Sequence, residues 1–127
     1  MEKLYIEETK SSPEVDFNYE TGILKIKGQS YPENAFKFYE PLFDWIDDYF
    51  EGHNDDTQLD VMLIYLNTSS IKCLMDIIYK FEEAAQKGVK VKINWYYKSN
   101  NRNILECGRE FEEDLDAEVE FNFIEET

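Results

Sequence analysis

The stretch Leu59–Ile71, LDVMLIYLNTSSI, constrains the fold more than any other part of the chain. An apolar run of strand length stops at Asn67-Thr68-Ser69-Ser70, and apolar residues then recur at Ile71, Leu74, Ile78, Phe81 and Ala85. Steps of three and four residues are the period of an amphipathic helix, and Gly88 suits its C-terminal end. Val89, Val91, Ile93 and Trp95 then alternate with Lys90, Lys92 and Asn94, the period of a strand. Strand, helix and strand at this spacing predict a βαβ unit with parallel strands and a right-handed crossover. Leu59–Leu66 carries one charge, Asp60, and is otherwise apolar on both faces. That pattern predicts a central strand covered on both sides.

Upstream, Leu4–Thr9 reads as a short strand. Val15, Phe17 and Tyr19 alternate with polar residues, Gly22 follows in a turn, and Ile23–Lys27 alternates again. Two such runs around a turn predict a β-hairpin. Asn34 is placed to cap a helix that starts at Ala35. Its apolar face is Phe38, Tyr39, Leu42, Trp45, Ile46 and Tyr49, with a second stripe at Phe36, Phe43 and Phe50. Such a stripe fits core contact with the hairpin, or an exposed docking face, since aromatic residues are enriched at interface anchors. Pro41 lacks a backbone donor and predicts a kink or a restart. Glu51–Gln58 reads as a polar loop, with His53 solvated in it. Asn101 or Asn103 caps a third helix with Ile104, Gly108, Phe111 and Leu115 on its buried face; the small Gly108 there allows a close backbone approach. Val119, Phe121 and Phe123 mark a last edge strand whose glutamates discourage further pairing. The whole predicts one α/β domain over residues 1–127: a mixed β-sheet with an N-terminal hairpin and three helices packed on it.

With 127 residues, 43% of them hydrophobic and 16% aromatic, the chain can fill one core and is not disordered. A net charge of −15 argues against nucleic acid and anionic membrane surfaces as partners. No apolar run reaches the length of about 20 residues that a bilayer requires. The N-terminus lacks a signal-peptide core, and Cys73 and Cys107 have no CxxC spacing. A cytoplasmic protein with free thiols is expected. One histidine gives little support to a metal centre or a serine-hydrolase triad. No glycine-rich phosphate loop is present, so no cofactor is expected. Cys73 lies near a helix start, which can lower a thiol pKa, although packing against the apolar face is the plainer role.

Asn67-Thr68-Ser69-Ser70 therefore carries the functional question. Thr68 is placed where a strand's carboxyl end meets a helix, and such ends attract ligand chemistry in open α/β sheets. The helix start offers unpaired N–H groups and partial positive charge. A phosphoryl group there would be well received, and would repel a docked partner by charge and size. Asn, Thr and Ser are also favoured capping residues, and that alone accounts for the motif. A small-molecule site near Asn67 and Tyr97 is a further alternative.

Several segments together resemble the SiaC family of bacterial regulatory phosphoproteins. They are Gly22-Ile23-Leu24-Lys25-Ile26-Lys27-Gly28, Ser30-Tyr31-Pro32-Glu33-Asn34-Ala35, Phe38-Tyr39-Glu40-Pro41 with Trp45, Tyr65-Leu66-Asn67-Thr68-Ser69-Ser70, Asn94-Trp95-Tyr96-Tyr97, and Leu105-Glu106-Cys107-Gly108. The resemblance implies a STAS-like fold, as in anti-sigma-factor antagonists. It implies a non-enzymatic switch that, unphosphorylated, binds and activates a diguanylate cyclase and so raises cyclic di-GMP and promotes biofilm growth. It further implies a serine/threonine kinase acting on Thr68 and a PP2C-type phosphatase reversing it. An anti-sigma-factor antagonist with transcriptional output is the alternative from the same fold. Proximity nominates Asn67, Thr68, Ser69, Ser70, Phe36, Tyr39 and Phe43 as the docking surface.

Overall fold

The structure is a computed structural model that describes residues 1–116 and 118–126. Its elements are β1 (Leu4–Ile6), β2 (Glu14–Asn18), β3 (Ile23–Ser30), α1 (Ala35–Gly52), β4 (Thr57–Leu66), α2 (Thr68–Gln86), β5 (Val91–Lys98), α3 (Arg102–Glu113) and β6 (Glu120–Glu126). The six strands form one sheet in chain order. β1, β2 and β3 pair antiparallel, whereas β3 to β6 are parallel throughout. The expected hairpin, βαβ unit and edge strand are all present. Gly22 takes φ +71 at the hairpin turn, a conformation that a side chain there would strain.

Successive parallel crossovers step across this sheet in one direction. Crossovers of one hand that never reverse direction leave all their helices on one face. The register shows which face. Phe17, Leu24, Leu59, Ile93 and Phe121 form one row across the strands, and Val15, Ile26, Val61, Trp95 and Phe123 another. Trp45 of α1 packs on Phe17, with ring centres 5.2 Å apart, and Phe111 of α3 packs on Trp95 at 5.4 Å. Leu74, Ile77, Ile78 and Phe81 of α2 are buried in the same core. The helices thus cover one face only, and the expectation that β4 is covered on both sides is wrong. On the other face Asp16, Lys25 and Lys27 are exposed, and Gln58, Met62 and Tyr96 are half-buried. Asp60 is buried there by its neighbours: its carboxylate accepts from Gln58 and from Asn94, both at 2.9 Å, and Asn94 accepts from Asn122 at 3.1 Å. A sheet without a reversal also lacks the crevice of a doubly wound sheet.

Pro41 does not restart α1, which runs unbroken from Ala35 to Gly52. The proline releases the carbonyl of Lys37, and both residues lie on the solvent side, where water satisfies that oxygen. The stripe Phe36, Phe43 and Phe50 does not meet the hairpin. Phe50 packs edge-on against Phe81 of α2 at 5.3 Å, and Phe43 lies under Lys80 of α2. The loop before β4 is shorter than expected, because α1 reaches Gly52 and β4 starts at Thr57. His53 is not simply solvated: its ring stacks on Tyr49 with centres 4.6 Å apart. Gly108 does allow a close approach, since a Cβ there would lie 2.6 Å from the Trp95 indole nitrogen.

Candidate functional site

The hydroxyl turn sits at the carboxyl end of β4, and an irregularity in that strand shapes it. Gly28 pairs with Leu63, but Gln29 pairs with Tyr65, so Ile64 is an extra residue in β4. A bulge changes the alternation of side chains beyond it. Leu66 therefore points into the core and Tyr65 is turned out, beside Ile64, which already faces away from the core as Asp60 and Met62 do; Ile64 and Tyr65 are 48% and 50% exposed. Tyr65 meets the ring of Tyr31 edge-on at 5.8 Å.

Asn67 then caps α2. Its side-chain oxygen accepts from the Ser70 amide at 2.9 Å, and its carbonyl accepts from the Ile71 amide at 3.0 Å. Thr68, Ser69 and Ser70 are the first three helical residues. Their amides have no carbonyl one turn back within the helix, which leaves partial positive charge at the turn. Because Asn67 provides the cap, capping does not account for Thr68. The Thr68 and Ser69 side chains are exposed.

Ser70 and Tyr39 do not belong to the surface for which they were nominated, since both are fully buried. Burial pushes the Tyr39 phenol up to about 12. Tyr39 faces inward because its position on α1 lies in the row of Leu42 and Ile46. Phe36 is exposed and pairs with half-buried Phe43 at 6.1 Å. Phe43 lies under the Lys80 ammonium of α2, 5.7 Å from its ring centre. The structure thus gathers Asn67, Thr68 and Ser69 with Tyr31, Ile64 and Tyr65, while Phe36 and Phe43 pair with each other on α1. The sequence carried no signal for Tyr65, because its exposure follows from the bulge.

A groove of about 470 Å³ runs from Thr68 between α2 and α3, with Ile71, Met75 and Phe111 along it and Lys72, Asp76, Glu110 and Asp114 at its edges. Lys72, one turn after Thr68, brings positive charge to the exposed face of that first stretch of helix. Cys73 is buried, and burial pushes its thiol up, with Asp76 adding to the effect, so the helix start does not activate it. Burial likewise pushes Cys107 up to about 11. Among the described residues no group of His, Cys, Asp and Glu side chains is arranged to hold a metal ion. No helix among them is long and apolar enough to cross a membrane.

Comparison with known proteins places this geometry in a family. The model of the SiaC family of regulatory phosphoproteins matches residues 6–126. A protein of Pseudomonas aeruginosa strain UCBPP-PA14 is 39% identical over 114 residues, covering 90% of each chain. The structure of SiaC of Pseudomonas aeruginosa superposes with a TM-score of 0.91 at 36% identity, covering 99% of this chain and 100% of that one. A crystal structure of the diguanylate cyclase SiaD in complex with its activator SiaC gives the same TM-score of 0.91 at 36% identity, over 97% of this chain and 99% of the matched one. Near-complete coverage at this identity, with the same mixed sheet and three helices, shows that the chain belongs to the SiaC family of regulatory phosphoproteins.

Proposed function

We propose that this chain is a phosphorylation-controlled binding switch, with residues 1–127 acting as one regulatory domain. With Thr68 unmodified it docks on a diguanylate cyclase and activates it, raising cyclic di-GMP and favouring biofilm growth. A serine/threonine kinase phosphorylates Thr68, and a PP2C-type phosphatase restores the free hydroxyl. The protein is then a substrate and a ligand in the cytoplasm, not an enzyme, and it uses no cofactor.

The observation that carries this reading is the Thr68 side chain, exposed at the start of α2 and relieved of capping by Asn67. Family membership supports a regulatory phosphoprotein, and the complex of SiaD with its activator SiaC supports a cyclase as partner. A phosphoryl group would bring nearly two negative charges to a helix end that accepts them. The docking surface is Asn67, Thr68 and Ser69 with the exposed Ile64 and Tyr65 and the half-buried Tyr31 beside them. Apolar and aromatic side chains around a small polar centre suit a protein interface. New charge at that centre opposes docking while the core stays intact.

The test is mass spectrometry of the protein from its native cells, with and without phosphatase, joined to a binding assay. A removable phosphate on Thr68, and a folded Thr68→Asp variant whose cyclase binding falls at least tenfold, are the expected results. Wild-type affinity in Thr68→Asp would refute the switch.

A further inference from the structure

Beneath the exposed turn lies a chain of three buried hydroxyls. The Tyr39 phenol is 2.7 Å from Ser30 Oγ, and Ser30 Oγ donates to Ser70 Oγ at 2.8 Å. All three residues are fully buried. A serine hydroxyl has one proton, and Ser30 gives its proton to Ser70. Tyr39 must therefore donate to Ser30, so the chain runs from α1 through the end of β3 into the first turn of α2.

Ser30 also accepts the Asn67 amide on its backbone carbonyl at 3.0 Å. Asn67 is thus held by its amide to Ser30 and by its side chain to the Ser70 amide. Ser70 is held by its amide and by its hydroxyl. Each bracket of the turn is thus fixed to Ser30 at one point and to the other bracket by their shared bond, and the residues between them, Thr68 and Ser69, are the ones presented to solvent. Apolar side chains of similar shape would fill the same space with little loss of stability. Satisfied buried polar networks instead specify one geometry.

We propose that Tyr39, Ser30 and Ser70 form a buried latch that fixes the pose of the Thr68 turn. Tyr39 is then a positioning residue for partner docking, and acts without touching the partner. The inference rests on the reading that this turn is the docking site.

The experiment compares Tyr39→Phe with Tyr49→Phe in the full chain. Tyr49 loses an equivalent buried hydroxyl contact, to Thr57 at 3.0 Å, at the opposite end of the sheet. Amide hydrogen exchange is followed at residues 67–71 and in β4 and β5, and cyclase affinity is measured on the same samples. Tyr39→Phe is expected to speed exchange at residues 67–71 about fivefold to tenfold beyond any change in β4 and β5, and to weaken cyclase binding. Tyr49→Phe is expected to leave the ratio of the two regions unchanged. Equal effects of the two variants on residues 67–71, or a uniform rise across the sheet, would overturn the latch. A loosened turn with wild-type cyclase affinity would overturn the positioning role. Exchange reads the latch without any partner, and Thr68→Asp reads the docking surface without the latch, so the two failures are distinguishable.

Discussion

Tyr39 and Tyr49 are both buried on α1, and each phenol meets a hydroxyl of a strand end. At the amino end of the parallel strands, Tyr49 contacts Thr57, which itself donates to the carbonyl of Asp55 at 3.0 Å. That chain closes a loop. The Tyr49 ring is stacked on Trp45 at 5.3 Å and on His53 at 4.6 Å, so aromatic packing dominates there. At the carboxyl end, Tyr39 contacts Ser30 and through it Ser70, and that chain ends under an exposed helix start. Similar chemistry thus serves closure at one end and presentation at the other. The difference lies in what the last hydroxyl touches: a loop carbonyl in one case, and a residue that brackets Thr68 in the other.

The largest effect that tests this contrast is on packing. Tyr49→Ala removes a ring held between two others and is expected to cost about 3–5 kcal/mol of global stability, measured by urea unfolding. A loss near 1 kcal/mol would remove the contrast, because Tyr49 would then be no more than a hydrogen-bonding group.

The next effect is on pH. The Tyr39 phenol is raised from 10.0 to about 12 in the folded chain, chiefly by burial. Folding therefore favours its neutral form. Its contribution is fully present below pH 10 and is lost as the pH rises through about 12, worth roughly 3 kcal/mol. In Tyr39→Phe this component of alkaline destabilisation should be missing, so unfolding midpoints of the two proteins should converge above pH 10. A constant difference up to pH 12 would mean that Tyr39 is not shielded as described.

Smaller still is the loss of a cap. Asn67→Ala and Asn34→Ala each remove one side-chain acceptor at a helix start and should each cost about 1 kcal/mol. Only Asn67→Ala should also speed amide exchange around Thr68. Least of all, Lys87→Ala breaks the exposed pair with Glu83 at 3.4 Å and should change stability by less than about 0.5 kcal/mol.

Much of this arrangement is legible in the residues. The alternations around Gly22, the helical spacing after Ser70 and the asparagines before each helix place the elements within a few residues of their observed ends. Thr68 stands out because an apolar run ends where a helical pattern begins. Three features are not legible for a common reason. The apolar character of Leu59–Leu66 suggests cover on both faces, yet Asp60 sits among amides from β4 and β5 on the helix-free face. Ser70 looks like a surface candidate, yet it is buried against Ser30. Tyr65 looks like core, yet the bulge turns it out. Each outcome depends on a residue distant in sequence, and local periodicity carries no information about it.

The sequence by itself determined the element types, the parallel βαβ unit, the helix caps and the place of Thr68 at the start of α2. These follow from side-chain period and from capping chemistry, which act over a few residues. The tertiary structure alone decided that the crossovers never reverse, so that one face of the sheet is free of helices. It also decided that Ser30, Ser70 and Tyr39 meet. The physical reason is that strand order, register and buried hydrogen bonds join residues tens of positions apart, as Ser30 and Ser70 are. Such pairings arise from packing the whole core.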